Sequence, residues 1–151
     1  MLVGAFHFPT DYGIEISELA SALEARGFES LFVCEHTHIP VSRRSPYPGG
    51  GELPKCYSHT HDPFVALSFA AAATRTLKLG TGIALVPQRD PIITAKSVAS
   101  LDQLSGGRFI FDRWRLECRR NGESRRPLRD PFQAAARTRT GDEGAVDAGA
   151  G

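Results

Sequence analysis

The sequence is poor in lysine, cysteine, methionine and tryptophan. Of its 18 basic residues only three are lysine, and methionine and tryptophan occur once each. Cys34, Cys56 and Cys118 are an odd number of cysteines without framework spacing, which argues against a disulfide-stapled secreted scaffold and fits a reducing cytoplasm. No apolar run approaches the roughly 18 residues of a membrane span, so no membrane partner is expected. Met1-Leu2-Val3-Gly4 has no basic segment and following cleavage site, so no signal peptide is expected. Neither sign of charge dominates: 18 basic against 17 acidic residues leave a net charge of +1, which points to neither nucleic acid nor a membrane surface.

Regular βα patterning fills the first three quarters of the chain. Leu2 to Phe8 is a short β-type run ending at Pro9. Ile16, Leu19, Ala20 and Leu23 share one helical face, so a helix is expected over Ile14 to Arg26, ended by Gly27. Phe28 to Cys34 is a second strand, followed by a long loop from Glu35 to His61 rich in Pro, Gly, Ser and His. Asp62-Pro63 and Asp90-Pro91 each open a helix, because Asp accepts bonds from free N–H groups and Pro tolerates the first helical position. Phe64, Leu67 and Ala71 mark the buried stripe of the first; the second runs to about Leu104 and is closed by Ser105-Gly106-Gly107. Leu77 to Leu85, with Gly80 and Gly82 inside it, and Arg108 to Phe111 are expected as strands three and four.

This alternation implies a parallel sheet with right-handed crossovers. An open dinucleotide-binding sheet would carry G-x-G-x-x-G after its first strand, where Phe8-Pro9-Thr10-Asp11-Tyr12-Gly13 stands instead. The expected fold class is therefore α/β, the N-terminal half of a (β/α)8 barrel of about four parallel strands and three helices. A full barrel needs about 250 residues.

Four motifs in order carry a family resemblance over Met1 to Phe111. They are Gly27-Phe28-Glu29-Ser30-Leu31-Phe32-Val33-Cys34-Glu35-His36-Thr37-His38, Leu79-Gly80-Thr81-Gly82-Ile83, Asp90-Pro91, and Leu101 to Phe109 with its Ser105-Gly106-Gly107-Arg108. The chain resembles the luciferase-like monooxygenases, which are flavin- or deazaflavin-dependent oxidoreductases. The loop Ser42 to Gly51 is similar to the subgroup using coenzyme F420. The resemblance implies a barrel holding F420 or FMN at the C-terminal ends of its strands. It also implies hydride transfer at the ring, a small-molecule substrate, and homo-oligomers among full-length relatives. Glu35 and His36 match an acidic-His pair near the reactive face and are the expected catalytic residues. Phe6, His7, Thr81, Gly82 and Ile83 are the expected cofactor-binding residues, with a bulge, often a non-prolyl cis peptide, at Gly82–Ile83.

Patterning stops at Phe111. Residues 112–151 hold nine of the fifteen arginines, no lysine and only four residues from Ile, Leu, Val and Phe, a composition that predicts disorder. The expected domain division is 1–111 and 112–151. Read one base later, the codons of Trp114-Arg115 must give glycine, and those of Asn121-Gly122 methionine or threonine. Permitted codons elsewhere yield the glycine-rich loop and Trp-Asn that the family places after this strand. A shifted frame and a natural arginine-rich extension are the two readings of the tail. On the first, the chain is an N-terminal fragment expected to have little or no catalysis.

Two other chemistries compete. His36-x-His38 and His59-x-His61, with Glu35 and Asp62, could present imidazoles to zinc. Asp62 is better used as a helix cap, and no metal is expected. Arg43 and Arg44 could attract an anionic group. Arg113, Arg115, Arg119, Arg120, Arg125 and Arg126 could contact phosphates, but interspersed acids and the absence of an aromatic platform make nucleic acid an unexpected partner.

Overall fold

The computed structural model describes residues 1–42 and 46–112. Arg43, Arg44 and the tail 113–151, with Cys118, Trp114 and the tail arginines, lie outside the described residues, as does the test of the division at Phe111.

Four parallel strands, β1 (Gly4–His7), β2 (Ser30–Val33), β3 (Lys78–Thr81) and β4 (Phe109–Ile110), form one sheet in that order. Helices α1 (Ile16–Ala25), α3 (Pro63–Ala73) and α4 (Pro91–Ser105) connect them, and α2 (Cys56–His59) is a single turn inside the long β2–α3 connection. The period of two in each strand sorts its side chains between two faces. Ala5, Leu31, Leu79 and Phe109 stand in register across the sheet. Leu31 and Leu79 are fully buried in a core shared with Leu23, Leu67, Ala70 and Leu101 of the helices. The next row is Phe6, Phe32, Gly80 and Ile110. Phe6 and Ile110 of that row are exposed.

Local chemistry explains the element ends. The Asp62 carboxylate accepts from the N–H groups of Phe64 and Val65 at 2.9 and 3.1 Å, and that of Asp90 from Ile93 at 2.8 Å. Gly106 ends α4 at φ +72°, a left-handed turn in which its N–H reaches Gln103 O and that of Gly107 reaches Asp102 O. The next residue, Arg108, turns its guanidinium onto the end of α3. Its nitrogens donate to the carbonyls of Ala71, Thr74, Leu77 and Ser105 and to the Thr74 hydroxyl, at 2.7 to 3.2 Å. The end of α3 carries no basic residue of its own, and Arg108 satisfies carbonyls that an α-helix leaves without partners.

Glu24, near the end of α1, does the matching work for the α3–β3 connection. Its carboxylate accepts from the N–H groups of Arg75, Thr76 and Leu77 and from the Thr76 hydroxyl at 2.6 to 3.2 Å. The N–H groups of Thr76 and then Leu77 hold its carboxyl down at about 2, against an ordinary 4.5. A carboxyl depressed in the folded state stabilises fully above its ordinary value and loses that contribution as pH falls through the folded one. Between pH 4.5 and about 2 the chain should therefore lose stability that Glu24→Gln lacks throughout. Urea midpoints at pH 7 and pH 3 check this; parallel losses in both proteins would refute it.

Two expectations need correction. The loop holds a helix that periodicity did not reveal, because one turn presents no apolar stripe. α2 is held instead by Ser58 N–H on Lys55 O, Thr60 Oγ1 on Cys56 O, a Thr10–Thr60 bridge and His61 N–H on Pro9 O. Strand three stops at Thr81, not Leu85: the Gly82–Ile83 peptide is cis, and a 3-10 turn at Val86–Gln88 follows.

Candidate functional site

The exits of β1, β2 and β3 meet at the C-terminal edge of the sheet, where parallel α/β folds gather their chemistry. The first element is a run of rings. Phe6 meets Phe8 edge-on at 5.8 Å, and Phe8 stacks on His36 at 5.9 Å with planes 9° apart. His36 lies 4.5 Å from Tyr57 of α2, whose ring lies 5.7 Å from Tyr47. The edge of the Phe6 ring faces Gly82: a Cβ at residue 82 would sit 3.0 Å from Phe6 Cε2. At Gly80 it would sit 2.3 Å from Phe32 Cε1, so both rings depend on a neighbouring glycine. Phe6, His36 and Gly82 thus belong to one continuous surface, joined through Phe8.

Glu35 faces a different set of partners from His36. Its side chain is 1% exposed. Oε1 accepts from Arg89 Nε at 2.6 Å, and Oε2 from the Leu85 N–H at 2.6 Å. Arg89 Nη2 also reaches Asp62 Oδ2 at 2.5 Å, and its guanidinium lies 4.6 Å over the Phe64 ring. Burial alone would depress Arg89, but the hydrogen bond and charge of Asp62, then those of Glu35, outweigh it and hold its pKa above the ordinary value. One ion cluster therefore fixes the exits of β2 and β3 to the start of α3.

Thr81 is fully buried, and its hydroxyl donates to Asp112 O at 2.6 Å while accepting from the Asp112 N–H at 3.0 Å. His7 Nε2 is buried and has no hydrogen-bond partner among the described residues. Burial lowers the pKa of both His7 and His36, with the Glu35 charge opposing the shift at His36, so both sites favour the neutral ring. A neutral imidazole offers one donor and one acceptor nitrogen. Burial also pushes the Cys34 thiol up to about 11, leaving it unreactive at neutral pH.

His59 pairs with Asp11 at 2.9 Å and meets Tyr12 edge-on. Among the described residues no three His, Cys, Asp or Glu side chains are grouped so as to hold a metal ion. Phe8, Tyr57 and Arg89 escaped the sequence reading. An aromatic residue just past the end of β1 was the available signal for Phe8.

Residues 8–112 match the luciferase-like monooxygenase family. The chain belongs to that family. An uncharacterised protein of Mycobacterium tuberculosis is 44% identical over 111 residues, which are 72% of this chain and 39% of that protein. The 5,10-methylenetetrahydromethanopterin reductase of Methanopyrus kandleri is 33% identical over 103 residues, 68% of this chain and 24% of the reductase. The solved coenzyme F420-dependent tetrahydromethanopterin reductase of that organism superposes with a TM-score of 0.55 at 29% identity, covering 74% of this chain and 26% of its own. The oxygenating constituent of 3,6-diketocamphane monooxygenase from Pseudomonas putida, solved with FMN, shares the fold at 17% identity and a TM-score of 0.57, covering 76% and 29%. The chain thus spans about two fifths or less of these relatives. Its sheet is one arc of the (β/α)8 barrel that the family builds. No helix among the described residues is long and apolar enough to cross a membrane.

Proposed function

We propose that this chain carries the ring-binding part of an F420- or FMN-dependent oxidoreductase acting on a small molecule. The observation that carries the proposal is the single surface made by Phe6, Phe8, His36 and Gly82 at the C-terminal edge. It supplies the apolar face that a planar tricyclic ring needs. The residues fit such a group: a Cβ at Gly82 would crowd the Phe6 ring, and the unpartnered His7 Nε2 at the same edge suits a polar ring substituent. The coenzyme, when bound, supplies hydride transfer. Phe6 and the Gly82–Ile83 bend would back the ring, and neutral His36 would donate to it or accept a proton from the substrate. Glu35 and Thr81 act as positioning residues, since their polar atoms hold Arg89, Leu85 and Asp112. Cytoplasmic residence fits the free thiols of Cys34 and Cys56.

In this reading residues 112–151 stand where the family has its phosphate-binding loop, and the chain is a fragment with ring affinity but little turnover. The exposed Val65 and Phe69 on α3 support self-association. Fluorescence titration of the purified chain with F420 and with FMN tests the reading. Saturable binding weaker than about 1 μM is expected, lost about tenfold in Gly82→Val and in His36→Ala. No binding of either coenzyme would overturn the oxidoreductase reading, and normal turnover would overturn the fragment reading.

A further inference from the structure

The imidazole of His36 rests against two aromatic rings that also rest against each other. Phe8, one residue past β1, stacks on it at 5.9 Å, and Tyr57 of α2 leans on it at 4.5 Å with planes 49° apart. The Phe8 and Tyr57 centroids are 5.5 Å apart, so the three rings form a near-equilateral triangle. Such separations are those at which aromatic pairs attract. Among the described residues no hydrogen bond fixes the plane of the His36 ring, which leaves these two contacts to do so.

Both rings of this seat are themselves held, and by the same fastening. Phe8 is followed by the fully buried Pro9, whose carbonyl accepts from the His61 N–H at 2.8 Å. Thr10 bridges Thr60, Asp11 pairs with His59 at 2.9 Å, and Lys55 Nζ lies 4.4 Å over the Tyr12 ring. The four residues after Phe8 are therefore tied to the short segment that carries Tyr57. A side-chain hydrogen bond to Tyr47, and then burial, raises the Tyr57 phenol above its ordinary value. The hydroxyl is thus engaged with Tyr47, and it is the ring of Tyr57 that serves His36.

We propose that Tyr57 is a positioning residue for His36: its ring, fastened to the exit of β1 through α2, completes with Phe8 a seat that sets the imidazole before any coenzyme arrives. Only the use made of His36 rests on the proposed function; the seat itself does not. A side chain already held in place loses less freedom on binding, which is worth up to about tenfold in affinity. The seat also keeps water from the imidazole. Burial is the larger influence on His36 and the Glu35 charge the lesser, so removing one wall should favour the protonated ring.

Nuclear magnetic resonance of the full chain without coenzyme, with its five histidines isotopically labelled, tests the proposal. His36→Gln identifies the His36 signals. In the unaltered chain the ring protons of His36 and Tyr57 should show a mutual Overhauser effect. Tyr57→Ala should move the His36 ring signals and raise their titration midpoint toward the ordinary 6.5, while His59, anchored by Asp11, keeps its shifts. Tyr57→Phe, which keeps the ring, should leave the His36 midpoint in place. Titration with F420 and with FMN should then show binding weakened about threefold to tenfold in Tyr57→Ala and less than about twofold in Tyr57→Phe. Absence of the Overhauser effect, an unmoved or lowered midpoint in Tyr57→Ala, or a Tyr57→Phe variant that behaves like Tyr57→Ala overturns the proposal. If Tyr57→Ala does not fold, the unaltered chain and Tyr57→Phe decide it. An unaltered chain that binds neither coenzyme overturns the proposed function alone, because the His36 signals are read without one.

Discussion

Glu35→Ala should destabilise the chain by about 3–5 kcal/mol, the usual consequence of stripping one partner from a buried ion pair. The substitution leaves the Leu85 N–H without its acceptor and Arg89 with Asp62 as its one remaining carboxylate. Small domains have only about 5–15 kcal/mol in total, so the urea midpoint should fall by a large fraction. Arg89→Met should do comparable damage, since it leaves the buried Glu35 carboxylate facing Leu85 alone. The double variant Glu35→Leu/Arg89→Met should recover more than half of the summed losses, because no charge is then stranded. A Glu35→Ala loss under about 1 kcal/mol would mean that the cluster is not the clamp described above.

Arg108→Met keeps the aliphatic stem and removes every donor that reaches Ala71, Thr74, Leu77 and Ser105. The expected loss is about 3 kcal/mol, for carbonyls left without partners beneath a charged group that had served them all. Arg108→Lys should restore little, since a single ammonium cannot reach carbonyls spread around a planar fork. Amide exchange separates the mechanism from general loosening: protection should fall in the last turn of α3 and the start of β3 before it falls in α1. Uniform loss of protection, or full rescue by lysine, would refute the assignment.

The sequence made some of this legible and hid the rest for a physical reason. Asp62-Pro63, Asp90-Pro91 and Ser105-Gly106-Gly107 act within a few residues of themselves, so their caps and stops can be read directly. The apolar stripes of α1 and α3 and the four parallel strands follow from periodicity in the same way. Gly82 was marked by its place in a motif, and the structure brings it to the Phe6 ring. The partnerships of Glu35 with Arg89, Glu24 with Thr76 and Arg108 with Ala71 join residues far apart in the chain, and no local pattern records them. Tyr57 was hidden twice, on a one-turn helix and in a long loop without apolar periodicity. Glu35 shows the limit most clearly. Adjacent to His36 in sequence, it was expected to share its chemistry, whereas its carboxylate is held by Arg89 and Leu85.

The Glu35–Arg89 pair also sets how the site responds to salt. Screening acts on charges that face water and much less on those withdrawn from it. The Arg89 side chain is 18% exposed and that of Glu35 1%, whereas in the Lys78–Glu29 pair, where β2 and β3 begin, the lysine is 50% exposed. Raising ionic strength should therefore loosen the sheet at the end where β2 and β3 start while leaving the alignment of the strand exits intact. The geometry around His36 would then be as well formed in concentrated brine as in dilute buffer.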